Sequence, residues 1–138
     1  MGRYQDAADT YLDAVKIDPL YGDAQLGLGW ALLQLNRCES ALEPMEQAVR
    51  LLPESPPAHF NLAQCHSTLD QHPNAIEEFW KAIQLNPIYP EAHLGLGVSY
   101  EALNQFDKAI AEYKESLNQA PNSESAASTI FARKPVNP

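Results

Sequence analysis

Four prolines, Pro19, Pro53, Pro87 and Pro121, follow one another at a constant interval of 34 residues (53 − 19 = 87 − 53 = 121 − 87 = 34). A fixed period of this length identifies an array of one repeated supersecondary unit, because each unit has an apolar face that only its neighbours can cover. That excludes an ordinary globular core built from distant parts of the chain. It also points away from catalysis and towards a presented surface.

With Gly22 as the first slot, three full copies follow: 22–55, 56–89 and 90–123. The eighth slots hold Gly29, Ala63 and Gly97, and the twentieth hold Ala41, Ala75 and Ala109, with Ala7 one period upstream. The twenty-fourth slots are large, Tyr11, Met45, Phe79 and Tyr113; the twenty-seventh are small again, Ala14, Ala48, Ala82 and Ser116. Small residues at fixed slots mark close helix–helix approach, and the large ones between them fill the remaining gaps.

The composition agrees. Apolar residues make up 45% of the chain, with only 6 glycines. Alanine, leucine, glutamate and glutamine abound while β-branched residues are sparse, which favours helices over strands. Pro56, Pro57 and Pro90 stand where first helices would start, a place where a missing N–H costs nothing, and Pro73 stands at the start of a second helix. Asn36, Asp70 and Asn104 recur at one slot of a tight turn. In the third copy Ala92, Leu96, Tyr100 and Leu103 form one apolar helical face. These signals predict a helix over about 2–17, then pairs at about 22–35/38–52, 56–69/73–85 and 90–103/107–119. Pro44 falls beyond the first turn of a second helix, so a kink or a late start is expected there.

The small–large–small–proline register resembles the tetratricopeptide repeat, a helix–turn–helix unit of 34 residues, from Met1 to about Ser123. The resemblance implies an all-α right-handed α-solenoid: the second half of a repeat over 1–21, three repeats over 22–55, 56–89 and 90–123, and a further segment over 124–138. Residues 124–132 read as a short capping helix, with a truncated repeat as the alternative. The tryptophan often seen at the fourth slot is replaced by Gln25, His59 and His93, which is expected to weaken packing inside each unit. The missing partner of the first helix would expose apolar area around Tyr4, Ala8 and Tyr11, a route to homo-oligomerisation, and suggests a fragment of a longer array.

In this family the first helices line a concave groove. Carried over slot by slot, the resemblance implies that Asp23, Leu26, Trp30, Leu33 and Gln34 face it from the first copy. Pro57, Phe60, Gln64, Ser67 and Thr68 do so from the second, and Glu91, Leu94, Val98, Glu101 and Ala102 from the third. Gly27, Asn61 and Gly95 lie between them, and the two glycines would leave room for a partner's backbone. The peptide-binding candidates are therefore Leu26, Trp30, Leu33, Phe60, Asn61, Gln64, Leu94, Val98 and Glu101. The expected ligand is a protein or peptide with apolar anchors and basic flanks, held by a non-catalytic scaffold or adaptor. The competing class is a targeting module of a larger enzyme, such as a glycosyltransferase or kinase, whose catalytic domain lies elsewhere.

Charge narrows the partners. The 18 acidic against 9 basic residues leave a net charge of −9, the wrong sign for a nucleic-acid backbone. No apolar run approaches the length of a membrane span, and the first residues lack a signal-peptide core. The default compartment is cytoplasmic, with an exported parent protein as the alternative. The groove slots hold no Lys or Arg, which rules out the clamp with which co-chaperones of this family grip an anionic chain terminus; Asn61 alone resembles it. The asparagine ladder of glycosyltransferase arrays is broken by Gly27 and Gly95.

Other chemistry finds no support. Cys38 and Cys65 form no CxxC and make no disulfide framework. His59, His66 and His93 lack zinc-ligand spacing and read as inter-helix fillers. Gly27-x-Gly29 and Gly95-x-Gly97 lie within helices and fail as a dinucleotide motif. Glu77, Glu78, Glu112 and Glu115 read as solvated charge on outer helices. No catalytic residue, metal or cofactor is expected.

Overall fold

The computed structural model describes residues 2–121, within which there are seven helices and no strand. They are α1 (Gly2–Ile17), α2 (Gly22–Gln34), α3 (Cys38–Leu51), α4 (Pro56–Thr68), α5 (His72–Leu85), α6 (Pro90–Ala102) and α7 (Phe106–Gln119). Every predicted helix is present and its ends fall within a residue or two of expectation. The segment read as a cap or truncated repeat, 124–132, lies outside the described residues.

The turns explain why the pairs close. Asn36, Asp70 and Asn104 all adopt left-handed backbone, with φ of 58°, 60° and 61°. Asn and Asp tolerate this region better than other residues with a Cβ. The next amide then reaches back to close each helix: Arg37 N–H donates to the Leu32 carbonyl (2.9 Å), Gln71 to His66 (2.8 Å) and Gln105 to Tyr100 (2.9 Å). This satisfies carbonyls that a helix end otherwise leaves unpaired.

Each period-marking proline within the repeats follows a second helix by two residues: α1, α3 and α5 end at Ile17, Leu51 and Leu85. Proline disfavours helical backbone in the residue before it. Its carbonyl is then captured by a side chain. Pro19 O accepts from Gln25 Nε2 (2.9 Å), Pro53 O meets His59 Nε2 (2.8 Å) and Pro87 O accepts from Gln119 Nε2 (3.0 Å). The fourth-slot side chains Gln25 and His59 thus tie the first two full units to the end of the preceding one.

Each helix packs on the one before and the one after it, and α2 meets α4 as α4 meets α6. The result is an all-α solenoid in which α2, α4 and α6 stand side by side. Among the described residues its core falls into clusters: Ala63, Ala75, Phe79, Ile83, Ala92 and Leu96 form one, Ala8, Leu28 and Ala31 a second, and Cys38, Ala41 and Cys65, from successive repeats, a third. Pro44 does not delay its helix, since α3 starts at Cys38. The carbonyl it leaves without an amide belongs to Ser40, which is exposed and open to solvent. Ala8, expected on an open face, is buried at 4% against Leu28 and Ala31, whereas Tyr4 and Tyr11 remain exposed.

Candidate functional site

A groove of about 520 Å³ crosses α2, α4 and α6. Leu33 and Gln34 enter it from α2, Phe60, Gln64, Ser67 and Thr68 from α4, and Glu91, Leu94, Gly95 and Val98 from α6. Of the nine peptide-binding candidates, Leu33, Phe60, Gln64, Leu94 and Val98 therefore come together on one surface.

Four do not line it. Trp30 is 39% exposed, but its ring meets Tyr4 edge-on, 5.5 Å between centroids, nearer the first helix. Leu26 is half-buried, four residues before Trp30 on α2. Asn61 is buried at 8% exposure, beneath the surface it was expected to form. Glu101 is engaged within the fold, accepting from the Tyr113 hydroxyl at 2.9 Å.

The groove's floor has an unexpected member. Phe79 belongs to the outer helix α5 and is 1% exposed, yet it lines the groove because α6 carries no side chain at Gly95. A Cβ at Gly95 would collide with the Phe79 ring, and one at Gly27 would collide with Tyr11. The two glycines thus admit an aromatic ring from the preceding second helix. They do not hold space for a partner backbone, and that expectation is corrected.

Phe60 is itself wedged into this floor. Its ring stacks on Tyr89 (5.0 Å, 27°) and tilts against Phe79 (5.8 Å). Burial pushes the Tyr89 phenol up to about 12, with the negative charge of Glu91 adding to the effect. Phe60 is accordingly a packing residue as well as part of the groove lining.

The electrostatics are one-sided. The described cations are Arg3, Lys16, Arg37, Arg50, Lys81, Lys108 and Lys114, and none belongs to α2, α4 or α6. Those three helices carry Asp23, Glu91 and Glu101. Among the described residues no side chain engages the amides of Gln34 and Gln64, which leaves neutral donors and acceptors along the groove.

The histidines are structural, in a pattern that period alone did not disclose. His59 Nδ1 meets Glu78 Oε2 at 2.6 Å and His93 Nδ1 meets Glu112 Oε2 at 2.7 Å. The two pairs occupy the same slots one repeat apart. Glu78 and Glu112 are thus partly buried partners, a correction to their reading as solvated charge, and Lys81 also reaches Glu78 at 3.0 Å. Those bonds from Glu78 hold the Lys81 ammonium above its ordinary range. In the first repeat the same two slots hold Gln25 and Pro44, and a crevice of about 370 Å³ opens there between α1, α2 and α3.

A second polar chain runs inward from the groove. Ser67 Oγ accepts from Ser99 Oγ (3.3 Å), which meets His72 Nδ1 (3.2 Å), whose Nε2 faces Asp70 Oδ1 (3.5 Å). Ser99 is fully buried, so this chain orients groups and offers no accessible nucleophile. Among the described residues no three His, Cys, Asp or Glu side chains are placed to hold a metal ion, and no helix is long and apolar enough to cross a membrane.

Comparison with known proteins identifies the array. Among curated proteins no sequence matches the chain. In solved structures, the crystal structure of MamA superposes with a TM-score of 0.87 at 27% identity, covering 95% of this chain and 77% of that one. YrrB, described as a TPR protein with an unusual peptide-binding site, superposes with a TM-score of 0.87 at 22% identity, over 94% of this chain and 67% of that one. The first TPR of Spaghetti (RPAP3), bound to the HSP90 peptide SRMEEVD, has a TM-score of 0.75 at 20% identity, over 80% and 88%. One tetratricopeptide repeat profile matches residues 1–56 and 34–87 and a second matches 68–130, so all but the last residues are covered and the chain belongs to the tetratricopeptide repeat family.

Proposed function

We propose that this chain is a non-catalytic interaction module that takes a peptide segment, with apolar anchors and basic flanks, in the groove across α2, α4 and α6. The observation that carries the reading is the groove's composition. An apolar floor of Leu33, Phe60, Phe79, Leu94 and Val98 is bordered by unengaged amides and by Glu91, with no Lys or Arg on any of the three helices. Apolar side chains in such a floor supply binding energy by leaving water. Unpaired amides match the donors and acceptors of an extended backbone. Acidic groups attract cationic flanks and repel anionic ones.

The structural relatives support a peptide as the class of ligand. YrrB is described with a peptide-binding site and the RPAP3 domain holds an HSP90 peptide. That peptide, SRMEEVD, carries three acidic residues, and a groove lacking cations has nothing to receive them. The charge of the preferred ligand is therefore reversed here. The reading is the same whether the array serves alone as a scaffold or as the targeting module of a larger enzyme.

Fluorescence anisotropy with matched labelled peptides tests it. One set carries leucine or phenylalanine anchors flanked by Lys/Arg and the other has the same anchors flanked by Glu/Asp. Binding of the basic set, weakening as salt rises, is expected. A Leu94→Ala/Val98→Ala variant should lose binding while keeping its helical circular dichroism. Undiminished binding in that variant, or preference for the acidic set, overturns the proposal.

A further inference from the structure

Cys38 and Cys65 are the two cysteines of the protein, 27 positions apart (65 − 38), and the fold brings them together. Cys38 is the first residue of α3 and Cys65 lies within α4, the two helices that meet at the junction of two repeats. Both are free and buried, at 5% and 0% exposure, and they share one cluster with Ala41. The repeat supplies independent support for their proximity. One period further on, the same two slots hold His72 and Ser99, whose side chains meet at 3.2 Å. The same two slots therefore meet at the next junction as well.

We propose that Cys38 and Cys65 form a disulfide when exposed to low-molecular-weight disulfides, and that this bond staples the α2–α3 hairpin to the α4–α5 hairpin. Exposure sets the order of events. The Cys38 thiolate, nearer the surface, attacks the S–S bond of the oxidant, forming a mixed disulfide and releasing one small thiolate. Cys65 then gives its proton to solvent and attacks the Cys38 sulfur, releasing the second. In total two protein thiols lose two electrons and two protons, and one small disulfide is reduced to two thiols. Burial pushes the Cys65 thiol up to about 12, which makes the second step the slow one and accelerates it in alkali. The staple would lie directly behind the groove, because Leu33 packs on this cysteine cluster and also lines the cavity. It would therefore fix the angle at which Leu33 and Phe60 face one another, whatever the groove binds.

The test is incubation of the reduced chain with oxidised glutathione, followed by alkylation, intact mass and peptide mapping. The expected product is a monomer lighter by two hydrogens in which the Cys38 and Cys65 peptides are joined. Its melting temperature should rise by roughly 10 °C over the reduced form, since the bond restricts the unfolded chain. Cys65→Ser should instead accumulate a glutathione adduct on Cys38, and Cys38→Ser should give no cross-link. Stable glutathione adducts on the wild-type chain, a link between two chains, or thiols still free after prolonged incubation at alkaline pH would each overturn the proposal.

Discussion

The ring of Phe79 occupies the space that a side chain at Gly95 would need, so one residue of α6 is kept bare by an aromatic from α5. Tyr11 and Gly27 stand in the same relation two repeats earlier. The two differ in how much the ring can yield: Phe79 is 1% exposed, while Tyr11 is 37% exposed. Ala for Gly inside a helix is worth about 1 kcal/mol of stabilisation by itself. At Gly95 overpacking against a fixed ring costs ~1–3 kcal/mol and wins. Gly95→Ala should therefore lower stability to urea by up to ~2 kcal/mol, and Gly27→Ala should be neutral or stabilising. A stabilised Gly95→Ala variant would show that Phe79 is free to move.

The His59–Glu78 pair joins α4 to α5 while the other ring nitrogen faces the Pro53 carbonyl. Removing the imidazole breaks both links and leaves Glu78 with Lys81 alone. His59→Ala should lower the unfolding free energy by ~2–3 kcal/mol, as loss of one member of a mostly buried, hydrogen-bonded pair does. Lys81 is 43% exposed on its side chain, so Lys81→Ala should change stability by less than ~1 kcal/mol. Equal effects in chemical denaturation would mean that the histidine carries no special share.

Phe60 and Trp30 both looked like exposed anchors, and the fold separates them. Phe60 sits between Phe79 and Tyr89, so Phe60→Ala should destabilise the chain by ~2–3 kcal/mol even without ligand. Trp30 is more open and touches Tyr4 edge-on, so Trp30→Ala should cost ~1 kcal/mol or less. Thermal melts of the two variants check this. A Phe60→Ala variant as stable as wild type would return Phe60 to the role of a free anchor.

Alkali should expose the buried acids. Cys65 moves from 9.0 to about 12 on folding and Tyr89 from 10.0 to about 12. Both folded values are raised, so the folded state keeps protons that the unfolded chain releases. Their contribution is complete below pH 9 and is lost as pH climbs towards 12. Under reducing conditions stability should fall above pH 9 by up to ~1.4 kcal/mol per pH unit for each group. In Cys65→Ala the decline should begin about one unit later, near the ordinary tyrosine value. Urea titrations from pH 8 to 11 measure it, and a flat profile in wild type would contradict the burial argument.

The sequence by itself determined the architecture, because every signal involved acts over a few residues. Prolines, turn asparagines and small-residue slots each bias the backbone locally, and a strict period applies the same bias again at every unit. Helix ends and the tight turns at Asn36, Asp70 and Asn104 were therefore legible; the groove slots came from the family resemblance, and five of the nine candidates line the cavity. What only the tertiary structure decided lies between positions 16 to 32 residues apart: Phe79 entering the groove over Gly95, His59 finding Glu78, Cys38 meeting Cys65, and Ser99 linking Ser67 to His72. Such pairs depend on how far one helix rotates and slides against the next. That is set by the volumes of all the side chains packed between them at once, and no window along the chain contains that sum.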